Sequence, residues 1–175
     1  MSGDCSVDLQ GVLERPAGTV KLGAKGRRLQ AWAARHGIAL PAAIYDTLPV
    51  GADGVLARVG SGELILECAA NEPLRGQMES ALAAADGDVY RVEQQSLSLV
   101  LKGDAALVVL AQTCGMDWAR EPTGRIAYTR VAGASCAVLP LADGHRRSYR
   151  LWVDYSLASY LWATLAQIAA EVRAT

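Results

Sequence analysis

Two short β-type runs, Val55 to Val59 and Glu63 to Cys68, flank Gly60-Ser61-Gly62. A three-residue connection with two glycines predicts a hairpin, and a hairpin commits the chain to antiparallel pairing. In the second run Leu64 and Leu66 alternate with Glu63, Ile65 and Glu67, which predicts one buried face. Asn71-Glu72-Pro73 then opens a helix, with a capping residue and proline in the first turn. Its apolar stripe is Leu74, Met78, Ala81, Leu82 and Ala85, and Asp86-Gly87-Asp88 ends it.

The same grammar continues. Val89 to Val92 and the alternating run Leu97, Leu99, Leu101 read as strands. A helix follows Gly103-Asp104, with Leu107, Leu110, Ala111 and Cys114 inward and Gly115 as the stop. Arg125 to Val131 and Ser135 to Leu141 are strands either side of Gly133, and Asp143-Gly144 is a turn. Tyr149, Leu151 and Val153 alternate with Arg150, Trp152 and Asp154 in a last strand. Ser156 caps a final helix with Leu157, Leu161, Leu165, Ile168 and Val172 on one face. Helices alternate with hairpins, so the expected class is α+β, mostly antiparallel sheets with packed helices. A ferredoxin-like strand–helix–strand–strand–helix–strand unit runs from Glu63 to Val131.

Before residue 53 the pattern is looser. Residues 1–50 carry six Lys/Arg against four Asp/Glu and are rich in Gly and Pro. Residues 1–52 are therefore read as an N-terminal arm around one short helix (Leu29, Trp32, Ala33, His36, stopped by Gly37), and 53–175 as the α+β domain.

A formal charge of −1 argues against nucleic acid, whose binding rests on neutralised phosphates. No apolar run approaches the ~20 residues that span a bilayer. The opening Met1-Ser2-Gly3-Asp4-Cys5 has no signal-peptide character. Cys5, Cys68, Cys114 and Cys136 fit no zinc spacing and read as buried thiols of a reducing cytoplasm.

The catalytic inventory is thin. His36 and His145 are the only histidines. His145 with Cys136, across a hairpin, is the one nucleophile–base pairing that can be built, and it lacks an orienting third group. Gly60-Ser61-Gly62 opens no helix and so makes no phosphate cradle. Arg146, Arg147 and Arg150 form either an anion grip or a solvated basic turn. Trp118, Trp152 and Trp162 fall outside the main core stripes. Either a partner covers them or the arm does, with Trp32 and Tyr45.

Several phrases resemble those of the sarcosine oxidase gamma subunit family. Asp53 to Leu66 resembles its "gdg-x-L-x-x-lGp-x-e-w-L-l" stretch, and Glu93 to Cys114 its "alsLsGp" strand and following helix. Ile126 to Gly133 resembles "ar-t-rlagv". Tyr149 to Val153 with Ser156, Tyr160, Leu161 and Trp162 resembles the closing "frl-x-v-x-rS-x-a-x-ylw-x-w-L". The likeness covers about residues 53–172. It departs at Leu64, where the family often has Trp, and before residue 53.

The resemblance implies a fold like the folate-binding part of the glycine cleavage T-protein. It implies a cytoplasmic, non-catalytic subunit of a heterotetrameric oxidase or dehydrogenase that demethylates amines such as sarcosine or N-methylglutamate. Alpha-, beta- and delta-type partners would hold FAD, FMN, NAD, tetrahydrofolate and zinc; this chain would hold no catalytic, cofactor or metal residue. Trp118, Trp152 and Trp162, rimmed by Arg146 and Arg147, are then the candidate partner interface. The alternative is a stand-alone T-protein-like folate binder. The Lys-Gly-Cys-x-x-Gly-Gln phrase of the folate-dependent relatives is missing, and Thr113-Cys114-Gly115-Met116 does not replace it.

Overall fold

The computed structural model describes residues 11–84, 87–143 and 146–173. The elements, in order, are β1 (Leu13–Glu14), β2 (Thr19–Lys25), α1 (Leu29–Arg35), β3 (Thr47–Val50), β4 (Gly54–Gly60), β5 (Glu63–Ala69) and α2 (Pro73–Ala83). There follow β6 (Tyr90–Val92), β7 (Ser96–Leu101), α3 (Ala105–Thr113), β8 (Ala127–Val131), β9 (Ala134–Asp143), β10 (Arg146–Asp154) and α4 (Tyr155–Arg173). The α+β class holds, with two five-stranded antiparallel sheets and four helices.

The chain forms two compact units. Unit 2 comprises Ala17–Gln95 with Gly124–Ala127, and unit 1 the described residues of Met1–Pro16, Ser96–Thr123 and Tyr128–Thr175. The division at residue 52 is thereby corrected. Ala17 to Val50 are no arm: β2 lies inside a sheet, between β5 and β6. The glycines and prolines that loosened the pattern there mark turns between elements of a packed unit.

In unit 2 the strand order is β3-β4-β5-β2-β6. The β4–β5 hairpin forms as its glycines predict, with a register shift between Arg58 and Gly60. Leu22 stands opposite Leu66, and Ala24 opposite Leu64, so one face of the sheet is apolar. Leu29, Trp32 and Ala33 of α1 and Met78 and Ala81 of α2 join that face in one core. Gly37 ends α1 with φ 65°, a left-handed conformation glycine adopts freely. The backbones of three turns meet at one edge of this unit: the Gly26 amide donates to the Gly62 carbonyl at 2.9 Å, and Gly26 lies against Asp88 and Val89.

In unit 1 the order is β1-β7-β10-β9-β8. Leu99, Leu101, Tyr149, Leu151, Val153, Val138 and Cys136 share one buried face by register. Asp154 begins α4: its Oδ1 accepts from the Ser156 amide at 2.9 Å and from the Ser156 hydroxyl at 2.6 Å. These bonds favour the carboxylate and hold its pKa below the ordinary aspartate value.

Three further expectations are corrected. The strand–helix–strand–strand–helix–strand run exists in chain order, but β5 and β6 belong to one sheet and β7 and β8 to the other. β5 is buried on both faces, because Ile65 and Glu67 are as enclosed as Leu64 and Leu66. The stripes of α3 and α4 are rotated from those drawn through their leucines. Ala106, Val109 and Leu110 face inward in α3, and Ala158, Leu161, Leu165 and Ala169 in α4, while Leu107 and Leu157 are exposed. Alanines beside the leucines of the inner stripe let helices and sheet approach closely, and Leu107 and Leu157 turn outward.

Candidate functional site

A buried charge in the middle strand of a sheet is costly unless it is paired and hydrogen-bonded. Each unit has one. In unit 2, Glu67 on β5 is 0% exposed. Lys21 of β2 stands directly opposite it on one side and Val55 of β4 on the other. In unit 1, Arg150 on β10 is 5% exposed, with Val100 of β7 and Leu139 of β9 opposite. Ser148 and Trp152, two residues either way along β10, share its face, and Ser98 lies opposite Trp152. Glu67, Lys21, Arg150, Trp152 and Ser98 are all engaged in interactions within the folded chain. A carboxylate, two cations, an indole and a hydroxyl are thus held on the strands of the two sheets.

The sequence offered Glu67 only as an outward-facing alternate and Arg150 only as part of a basic cluster. The signal for each was a single charge inside an otherwise apolar strand, Leu64 to Cys68 and Tyr149 to Val153.

The predicted interface residues that are described do not form one exposed patch. Trp118 and Trp152 are buried. The Trp118 ring meets Tyr149 edge-on at 6.2 Å, and the Trp118 carbonyl accepts from the Tyr149 hydroxyl at 3.4 Å and from Arg147 Nη1 at 3.3 Å. Arg147 Nη1 also donates to the Glu121 carbonyl at 2.8 Å, so this guanidinium ties down the Met116–Glu121 loop. Trp162 is half-buried, with the Arg15 guanidinium 5.0 Å over its ring. The residue that covers it thus comes from the first fifty-two, though Trp32 and Tyr45 are not part of that contact. Trp32 is core of unit 2. The side chain of Arg146 lies outside the described residues, as does His145, so the Cys136–His145 pairing falls there too.

Cys136 itself is no nucleophile. Burial pushes its thiol up to about 11, against a smaller opposing effect of a backbone hydrogen bond at Val131. Burial likewise raises Cys68. Cys68, Cys114 and Cys136 are free and buried, as their placement in apolar runs predicts. Because the thiolate is the reactive form, Cys68 and Cys136 stay protonated and unreactive at pH 8. Treating native protein with iodoacetamide at pH 8 should leave Cys68 and Cys136 unmodified by peptide mass mapping, and guanidinium should expose both to complete labelling. Rapid native labelling of Cys136 would contradict its placement. Among the described residues no group of three or more His, Cys, Asp or Glu is arranged to hold a metal ion. No helix among them is long and apolar enough to cross a membrane.

Two five-stranded antiparallel sheets with four helices, among the described residues, form a T-protein-like α+β fold. Two solved structures carry that assignment. One is a chain of the heterotetrameric sarcosine oxidase from Corynebacterium sp. U-96, in complex with pyrrole 2-carboxylate. It has a TM-score of 0.72 and 24% identity, over 91% of this chain and 84% of that one. The other is the glycine cleavage system aminomethyltransferase T from Bartonella henselae, with a TM-score of 0.66 and 15% identity over 87% of this chain. This chain spans 44% of that protein, less than half its length. At these identities the likeness is one of fold. No protein-family model and no curated protein matches the sequence.

Proposed function

We propose that this chain is a non-catalytic, gamma-type subunit of a folate-linked, flavin-containing complex that demethylates an N-methyl amine or amino acid, of the sarcosine oxidase or N-methylglutamate dehydrogenase kind. The carrying observation is the asymmetry of coverage. The chain corresponds to 84% of one polypeptide of a heterotetrameric enzyme, but to only 44% of the single-chain aminomethyltransferase. On this reading its companions are alpha-, beta- and delta-type subunits in the cytoplasm. FAD, FMN, NAD, tetrahydrofolate and zinc belong to them. Arg150 and Trp152 are buried and already engaged, so neither is assigned to a bound folate.

Co-expression with candidate alpha, beta and delta chains tests the proposal. An affinity tag on this chain should retain a yellow assembly whose flavin absorbance co-elutes with all four polypeptides. Purification of this chain free of its companions would overturn it. Calorimetric binding of tetrahydrofolate to the isolated chain would favour a stand-alone folate binder.

A further inference from the structure

The helical layer of unit 1 has an unusual outer surface. From Ala105 to Met116 and from Tyr155 to Ala170 the sequence contains no charged residue. These stretches hold all of α3 and most of α4, which pack against each other. Exposed helix faces normally carry charge. The outer faces of α1 and α2 do so, with Arg35, Arg75 and Glu79. Here the outward side chains are instead Leu107, Val108 (46% exposed), Tyr155 (61%), Leu157 and Tyr160 (53%).

This surface is ordered as well as apolar. The Tyr160 hydroxyl donates to the Ala132 carbonyl at 2.8 Å, and the Ala132 amide donates to the Thr113 carbonyl at 2.8 Å. Those two bonds tie α4, the β8–β9 turn and the end of α3 together. They hold Ala132 at φ 48°, a left-handed conformation that a non-glycine residue adopts only when its surroundings fix it. An exposed tyrosine whose ring is already fixed loses little entropy when covered, which suits it as an interface anchor.

We infer that the outer face of α3 and α4 docks an uncharged, apolar patch on a companion chain of unlike sequence. Charge complementarity selects that occupant. A charged partner group would be desolvated against this centre with nothing to pair with. Along the two helices charges reappear at the ends of these stretches, at Asp104, Asp117, Asp154 and Glu171, and the Arg15 guanidinium lies over Trp162, giving the apolar centre and polar rim of a protein interface. A lipid surface does not fit, because membrane-lying helices carry Lys and Arg along their polar face, and Ala105–Met116 and Tyr155–Ala170 contain neither. That the companion is unlike this chain rests on the subunit reading above.

The test uses the co-expressed complex, with tagged Val108→Glu and Ala163→Glu, and Ser80→Glu on α2 as control. Circular dichroism and thermal midpoint should match wild type, because all three positions are exposed. Capture of companion chains should fall at least tenfold for the first two and be unchanged for the control. Undiminished capture overturns this inference and leaves the subunit reading intact. No capture by wild type removes both. Self-association of the isolated chain, broken by Val108→Glu without loss of capture, would assign the face to a second copy and overturn the inference. If the variants misfold, hydrogen exchange on wild type decides: Leu107–Gln112 should exchange more slowly in the complex than in the isolated chain, and equal rates refute the docking.

Discussion

Trp32→Ala should destabilise unit 2 by about 3–5 kcal/mol, the range for removing a fully buried aromatic from a core. Trp32 is wholly buried, at the centre of the cluster formed by Leu22, Ala24, Leu64 and Leu66 with Met78 and Ala81 of α2. Its ring also stacks obliquely on His36, at 5.5 Å between centroids, so the truncation loses an aromatic contact as well as buried area. The sheet cannot close the gap, because Leu22 and Leu66 are held opposite each other by the β2–β5 ladder. Urea denaturation followed by circular dichroism measures the effect. A loss below about 1 kcal/mol, the scale of a surface substitution, would mean that α1 is peripheral to unit 2.

Gly26→Ala should be nearly as damaging, for the opposite reason. An added Cβ at residue 26 would be driven into the Asp88 carbonyl oxygen and lie 2.8 Å from the Val89 Cα. Both obstacles are backbone, so no rotamer change relieves them. Overpacking of this kind costs about 1–3 kcal/mol and sometimes more. A Cβ at Gly62 would meet the Gly26 carbonyl in the same way, so the three turns depend on each other. The pair Gly26→Ala and Gly76→Ala makes the comparison clean. Gly76 has open space around its Cβ position and sits within α2, where alanine favours the helix. Melting temperature should fall for the first and hold or rise for the second. Equal responses would show that the three backbones are not in contact.

What could be read from the residues follows from how local the signal was. Gly60-Ser61-Gly62, Gly37 and the alternation through Tyr149 to Val153 each act over a few residues, and each delivered its hairpin, helix stop or strand. Pairing between distant strands left no such mark. Nothing in Thr19–Lys25 announces that it lies between β5 and β6, and so it passed for part of an arm. A stripe drawn through leucines finds Leu110, Leu161 and Leu165, which are buried, but also takes in the exposed Leu107 and Leu157 and omits the inner alanines. In α3 and α4 close packing adds Ala106, Ala158 and Ala169 to the inward face. The same preference for bulk made the tryptophans look like an interface, when Trp118 and Trp152 fill the interior and smaller, uncharged side chains line the outer helical face. Glu67 and Arg150 were visible as lone charges in apolar strands. Their burial on the second face of each middle strand depends on tertiary structure that periodicity does not encode.

Unit 2 is almost one unbroken stretch, Ala17–Gln95, whereas unit 1 gathers its sheet from both sides of it, with β1 before and β7 to β10 after. Synthesis therefore delivers nearly all of unit 2 before β10, the middle strand of the other sheet, has left the ribosome. Until then β1 and β7 can meet only each other, and β7 presents an open edge where β10 will later pair. The chain is born with one half able to settle early and the other obliged to wait for its last third. In that interval an unclosed strand edge, the usual seed of aggregation, is in need of cover.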